Sequence, residues 1–157
     1  MADSKLQKRF RHEVEHLQVQ MQEKANGVDI VVGTKDNPIV TDSDLIPIKH
    51  YFMDGVYVRE MTMKKGVAVV GAIHKHLHMC FLLTGRITVI NEEETIDHIA
   101  PCFIISKPGV KRVLYAHEDS MWFNTHKNPT NTHDIKQLEK DIVATTYEEY
   151  DEYIKNK

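Results

Sequence analysis

The spacing of apolar positions changes twice along the chain. From Ser4 to about Lys24, Leu6, Phe10, Val14, Leu17 and Met21 recur at steps of 4, 4, 3 and 4, which makes one apolar stripe on an α-helix. Ser4 is suited to cap this helix and Asn26-Gly27 to end it. The opposite face carries Lys8, Arg9, Arg11, Glu13, Glu15 and Glu23, so the stripe either covers its own domain or pairs with a second subunit. From Val28 to about His126 the elements shorten to strands. Val28–Val32, Ile46–Phe52, Val56–Met63, Val67–His76, His78–Leu83, Ile87–Ile90, Glu94–Ile99, Cys102–Ser106, Lys111–Ala116 and Ser120–His126 are bounded by turn residues such as Asp54-Gly55 and Pro108-Gly109. Short strands at this spacing predict an antiparallel sandwich or barrel. After Asn128-Pro129, Ile135, Leu138 and Ile142 predict a helix over Asp134–Ala144, with Thr132 or His133 at its cap. The acidic tail Tyr147–Tyr153 has a tyrosine at every third position, giving a short helix or a surface arm.

The expected organisation is one domain: an N-terminal helix over residues 1–27, a β-barrel over 28–128, and a C-terminal helix and tail over 129–157. Composition narrows the function classes. A net charge of −3 argues against a nucleic-acid binder, which is usually basic. No apolar run reaches the roughly 18 residues of a membrane span, and the polar start Met1-Ala2-Asp3-Ser4-Lys5 is unlike a signal peptide, so a cytoplasmic protein is expected. Cys80 and Cys102 lack metal-type spacing and read as reduced thiols in apolar strands. The glycine-rich phosphate motifs and the nucleophile-elbow motif are absent from the sequence.

Ten histidines are the compositional excess. His74, His76 and His78 stand at alternate positions. On one unbroken strand all three imidazoles would share a face with Cys80 and Leu82. Three protonated imidazoles inside a barrel would repel one another, whereas neutral ones can donate lone pairs to a divalent ion. Nitrogen ligands with open positions suit Zn, Fe, Mn or Ni without choosing among them.

The segment Gly71–Gly85, GAIHKHLHMCFLLTG, resembles the first motif of the cupin superfamily, in which an H-x-H pair and a glutamate precede a glycine that closes a hairpin. Ser106–Arg112 resembles the second motif, P-x-G-x-x-H. The resemblance covers roughly Ile46–His126 and implies an all-β, cupin-like antiparallel jelly-roll barrel with an N-terminal helix and a short C-terminal helix. The chain departs from the motifs at two positions. His78 stands in place of the glutamate ligand, and Arg112, which cannot ligate a cation, stands in place of the second motif's histidine. Arg112 is therefore expected to hold an anionic group beside the metal, or to form a structural ion pair, for instance with Glu60. His126 and His50 are further ligand candidates. Across its length the chain also resembles cupin-like proteins of tailed phages, which implies a host-cytoplasmic or virion-associated accessory protein.

Three function classes follow. One is a metal-dependent enzyme acting on a small anionic molecule. The second is a non-catalytic cupin that captures a small metabolite or nucleotide. The third is a structural phage-assembly protein. The expected partners are a small anionic molecule and a second copy of the chain or a phage assembly, with neither nucleic acid nor membrane. Acidic residues cluster in turns, so the strands offer no evident general base.

Overall fold

The computed structural model describes residues 4–24 and 44–157. The strand expected over Val28–Val32 and the Asn26-Gly27 stop lie outside the described residues. Helix α1 spans Lys5–Glu23, and Ser4 closes a capping box with Gln7, satisfying two of the backbone donors a helix start leaves open.

The β core is antiparallel throughout. Strands β1 (Ile48–Met53), β2 (Val56–Met63), β10 (Ser120–Lys127), β5 (His78–Thr84) and β8 (Cys102–Ser106) form one sheet in that spatial order. Strands β3 (Ala68–Val70), β9 (Val113–Ala116), β6 (Arg86–Ile90) and β7 (Thr95–Ile99) form the second. Between them pack Met61, Met63, Val69, Cys80, Leu82, Ile87, Val89, Leu114, Ala116 and Trp122, all buried. Burying an aliphatic or aromatic side chain of this size is worth about 1.5–3 kcal/mol, so this layer is what holds the two sheets face to face. Along β10 the even-numbered residues Ser120, Trp122, Asn124 and His126 are buried, and the odd-numbered ones lie on the outer face. In β2, Tyr57, Arg59 and Met61 pair in register with His126, Asn124 and Trp122, so that parity of β2 faces inward.

The predicted strand Val67–His76 is divided. β3 ends at Val70, and only Ile73–His74 (β4) is strand beyond it. The C-terminal helix α2 (Ile135–Ile142) is capped by Asp134, which accepts from the Lys136 and Gln137 amides. Asp134 therefore caps this helix rather than Thr132 or His133. It ends before Val143–Ala144, which form β11 and pair with His74 and Ile73 of β4. A β-branched valine and a strand with open backbone groups beside it favour this extended exit over another helical turn.

The tail forms a third helix, α3 (Tyr147–Lys155). Its Tyr147 packs with Val14, Val70, Ile73 and Ala144, so the tail and α1 are both docked on the barrel. Lys111 is fully buried between them, donating to the Thr145 carbonyl at 3.0 Å and to Gln18 of α1. No helix among the described residues is long and apolar enough to cross a membrane.

Candidate metal centre

His74, His78 and His126 come together at one end of the barrel, and one ligand nitrogen from each lies within 4.8 Å of the others. Ring centroids are 4.1 Å apart for His74–His78, 4.6 Å for His78–His126 and 5.2 Å for His74–His126. All three side chains are buried. Both ring nitrogens of His74, and Nε2 of His78 and of His126, are buried without a hydrogen-bond partner. Leaving a buried polar atom unsatisfied costs about 1–3 kcal/mol, so three buried rings with unsatisfied nitrogens, gathered this closely, are what a site built for an ion presents.

The backbone also fixes the tautomer of His78. Its Nδ1 lies 3.2 Å from the His76 carbonyl. A carbonyl only accepts, so Nδ1 carries the proton and the Nε2 lone pair faces the other rings. Burial is the first cause holding all three imidazoles neutral, joined for His74 and His126 by the neighbouring histidines and for all three by the Arg59 charge. His78 is lowered to about 4, and the other two lie well below the ordinary histidine range. Neutral imidazole is the form that ligates.

His76, expected on the same face as its two neighbours, is elsewhere. The chain bends at Lys75–His76, between β4 and β5. Its cause is the end of α2, whose last carbonyls have no partner within the helix. The Lys75 amide donates to the Ile142 carbonyl at 2.7 Å, Lys75 Nζ to the Lys140 carbonyl at 2.6 Å, and the His76 ring to the Asp141 carbonyl at 2.9 Å. His76 thus closes the C-terminus of α2. The bend reverses the simple alternation, so His74 and His78 meet while His76 points out. The third imidazole of the cluster comes from His126 on β10. His50 stays outside the cluster, with Nδ1 2.8 Å from the Tyr57 hydroxyl.

A cavity of about 60 Å³ adjoins the cluster, and its walls include His74, Arg59, Arg112, Trp122, Asn124 and Glu139. Arg112 is buried and donates to Ser106 Oγ at 2.7 Å. It forms no ion pair with Glu60, whose carboxylate instead takes Lys49 at 3.3 Å and the Tyr51 hydroxyl at 2.5 Å. Among the described residues Arg112 has no carboxylate within salt-bridge distance, leaving most of its fork of donors available. Two residues absent from the sequence expectations line the same space. Arg59 enters from β2, and Glu139 reaches in from α2 to meet it at 3.4 Å. Period-two reading of β2 leaves the inward parity open, and nothing in an eight-residue helix announces which residue will turn toward a barrel mouth. His126, by contrast, was expected as a further ligand candidate, beside His50.

Among solved structures the chain resembles salicylate 1,2-dioxygenase from Pseudaminobacter salicylatoxidans, with a TM-score of 0.51 at 11% identity over 78% of this chain and 34% of that one. An RmlC-like cupin from Shewanella frigidimarina aligns over 57% of this chain and 79% of its own, with a TM-score of 0.48 and 14% identity. A cupin 2 conserved barrel domain protein from Salinispora arenicola covers 55% and 78%, with a TM-score of 0.47 and 12% identity. The fold is a cupin-like jelly-roll barrel. At these identities the likeness extends to the fold alone, and the chain spans only about a third of the dioxygenase. No family model matches the sequence, and no curated protein matches it.

Proposed function

We propose that this chain is a cupin whose barrel holds one divalent transition metal through His74, His78 and His126, and that Arg112 binds a small anionic ligand beside it. The observation that carries this reading is that three buried imidazoles, each with an unpartnered ring nitrogen, offer ligand atoms within 4.8 Å of one another. The donor set is neutral and nitrogen-only, which suits Zn, Fe, Mn or Ni. A bound ion would act as a Lewis acid toward a ligand oxygen and leave coordination positions for it. The protein's own residues would bind and orient. Arg112 offers a planar fork to a carboxylate or phosphate, Arg59 adds positive potential, and Trp122 supplies an apolar wall.

One observation favours capture of a ligand over proton-transfer chemistry. Among the described residues Glu139 is the only carboxylate lining the cavity, and Arg59 engages it. An accessory role in a phage-infected bacterium belongs to the same reading, on the strength of the sequence resemblance.

The test is Co(II) titration of metal-stripped, untagged protein, followed by its visible absorption. Wild type is expected to give a saturable spectrum at one ion per chain that shifts when a small carboxylate is added. Arg112→Gln should keep the ion and lose about tenfold or more in carboxylate affinity, in line with the loss of one charged hydrogen bond. A featureless titration, or a carboxylate response unchanged in Arg112→Gln, refutes the corresponding half of the proposal.

A further inference from the structure

Among the described residues the largest side chain with no exposed surface is a cation, Lys111. It stands next to Arg112 in the chain, and the two side chains go opposite ways. Arg112 lines the cavity with His74, whereas Lys111 lies between α1 and α3. Its Nζ donates to Gln18 Oε1 of α1 and to the Thr145 carbonyl at 3.0 Å, and sits 6.0 Å from the centre of the Tyr147 ring. Thr145, which joins β11 to α3, is itself fastened. Its amide and its hydroxyl both donate to the Glu149 carboxylate of α3, at 2.8 and 2.9 Å.

Among the described residues no carboxylate lies within salt-bridge distance of Lys111. A buried ammonium without an ion-pair partner is expensive, and a methionine of similar volume would fill the space at lower cost. What methionine lacks is the donors to hold two separate elements at once. The loop that carries Lys111 is tied to the barrel on its inner side. There the Gly109 amide donates to the His74 carbonyl at 2.9 Å, and the Gly71 amide to the Arg112 carbonyl at 2.8 Å. On its outer side Gly109 lies close against Tyr150 of α3, where a Cβ would come to 3.0 Å from the ring. At the end of its long side chain the Arg112 guanidinium donates to Ser106 Oγ. The place of the rest of its fork therefore follows the place of the loop backbone.

We propose that Lys111 is a positioning residue for Arg112: by fastening loop 108–112 to α1 and to the entry of α3, it sets the guanidinium where it meets an anion beside the metal. The inference rests on Arg112 as the anion site. A displacement of about 1 Å in a binding group is enough to cost large factors in its effect, so a loop held from both sides is what a single reaching arginine requires. Coupling between two parts of a protein is reciprocal. Docking of α1 strengthens anion binding, and a bound anion strengthens the docking of α1. The N-terminal helix thereby belongs to the ligand site, although none of its residues lines the cavity.

Acetate titration of the Co(II)-loaded full chain, followed by its visible spectrum, tests this. Lys111→Met should bind the same amount of Co(II) as wild type and lose about tenfold in acetate affinity. Gln18→Leu, which removes only the acceptor on α1, should lose about threefold. In an Arg112→Gln background Lys111→Met should cause no further loss, because the two residues act through one contact. A purely structural lysine would not produce that cycle. Amide exchange around Gln18 should slow when acetate is added to wild type, and not in Lys111→Met. Acetate affinity within about twofold of wild type in folded Lys111→Met, or an equal loss in the Arg112→Gln background, would overturn the proposal. Should Lys111→Met fail to fold, Gln18→Leu decides, and unchanged acetate affinity there overturns it. A wild-type spectrum indifferent to acetate would instead refute Arg112 as the anion site, and this inference with it.

Discussion

Burial of three imidazoles on one another makes stability depend on pH in a definite direction. In the unfolded chain a histidine takes up a proton near pH 6.5. In the folded protein His78 resists protonation until about pH 4, burial being the main cause and the Arg112 and Arg59 charges adding to it. Between those values the unfolded state binds more protons, so metal-free protein is expected to lose stability steadily as pH falls from about 6.5 to about 4. Above that window these groups add no pH dependence. Urea midpoints of metal-stripped protein at several pH values check this. His78→Gln should flatten the slope, and an equally steep profile in that variant would place its origin in other groups.

Two turns between elements differ in how far sequence reveals them. Gly85 has φ +84°, and a Cβ there would meet the Asp119 carbonyl at 2.6 Å and the Cα of Ser120 at 2.8 Å. Left-handed backbone and a blocked Cβ act together, so Gly85→Ala should cost about 2–4 kcal/mol in thermal or urea unfolding. A change below 0.5 kcal/mol would show that the hairpin yields more easily than its packing implies. This glycine, the hairpin Asp54-Gly55 and most strand limits were legible because turn chemistry is local. The bend at Lys75–His76 was not. It depends on the terminal carbonyls of α2, more than sixty residues later in the chain, and strand alternation taken alone aligns His76 with the wrong face. His76→Ala should therefore loosen the end of α2, at about 0.5–1.5 kcal/mol for one hydrogen bond, read as faster amide exchange in Lys140–Ile142. Unchanged exchange there would remove His76 from that capping role.

At the scale of the molecule, the barrel joins residues that sequence separates. β4 and β5 bring His74 and His78, the last barrel strand brings His126, and the Pro108-Gly109 turn lies against β4 through its amide on the His74 carbonyl at 2.9 Å. α2 and its exit strand β11 close this end, supplying Glu139 to the cavity and the carbonyls that turn His76 away. The sequence carried the jelly-roll class, the terminal helices and the density of histidines around position 76. It did not carry which three imidazoles meet, because that depends on one long-range contact. Metal content per chain, measured on untagged protein after equilibration with one divalent ion, decides this most directly. The account predicts close to one ion per chain for wild type and for His76→Ala, and its loss in His126→Ala. Retention in His126→Ala together with loss in His76→Ala would contradict it.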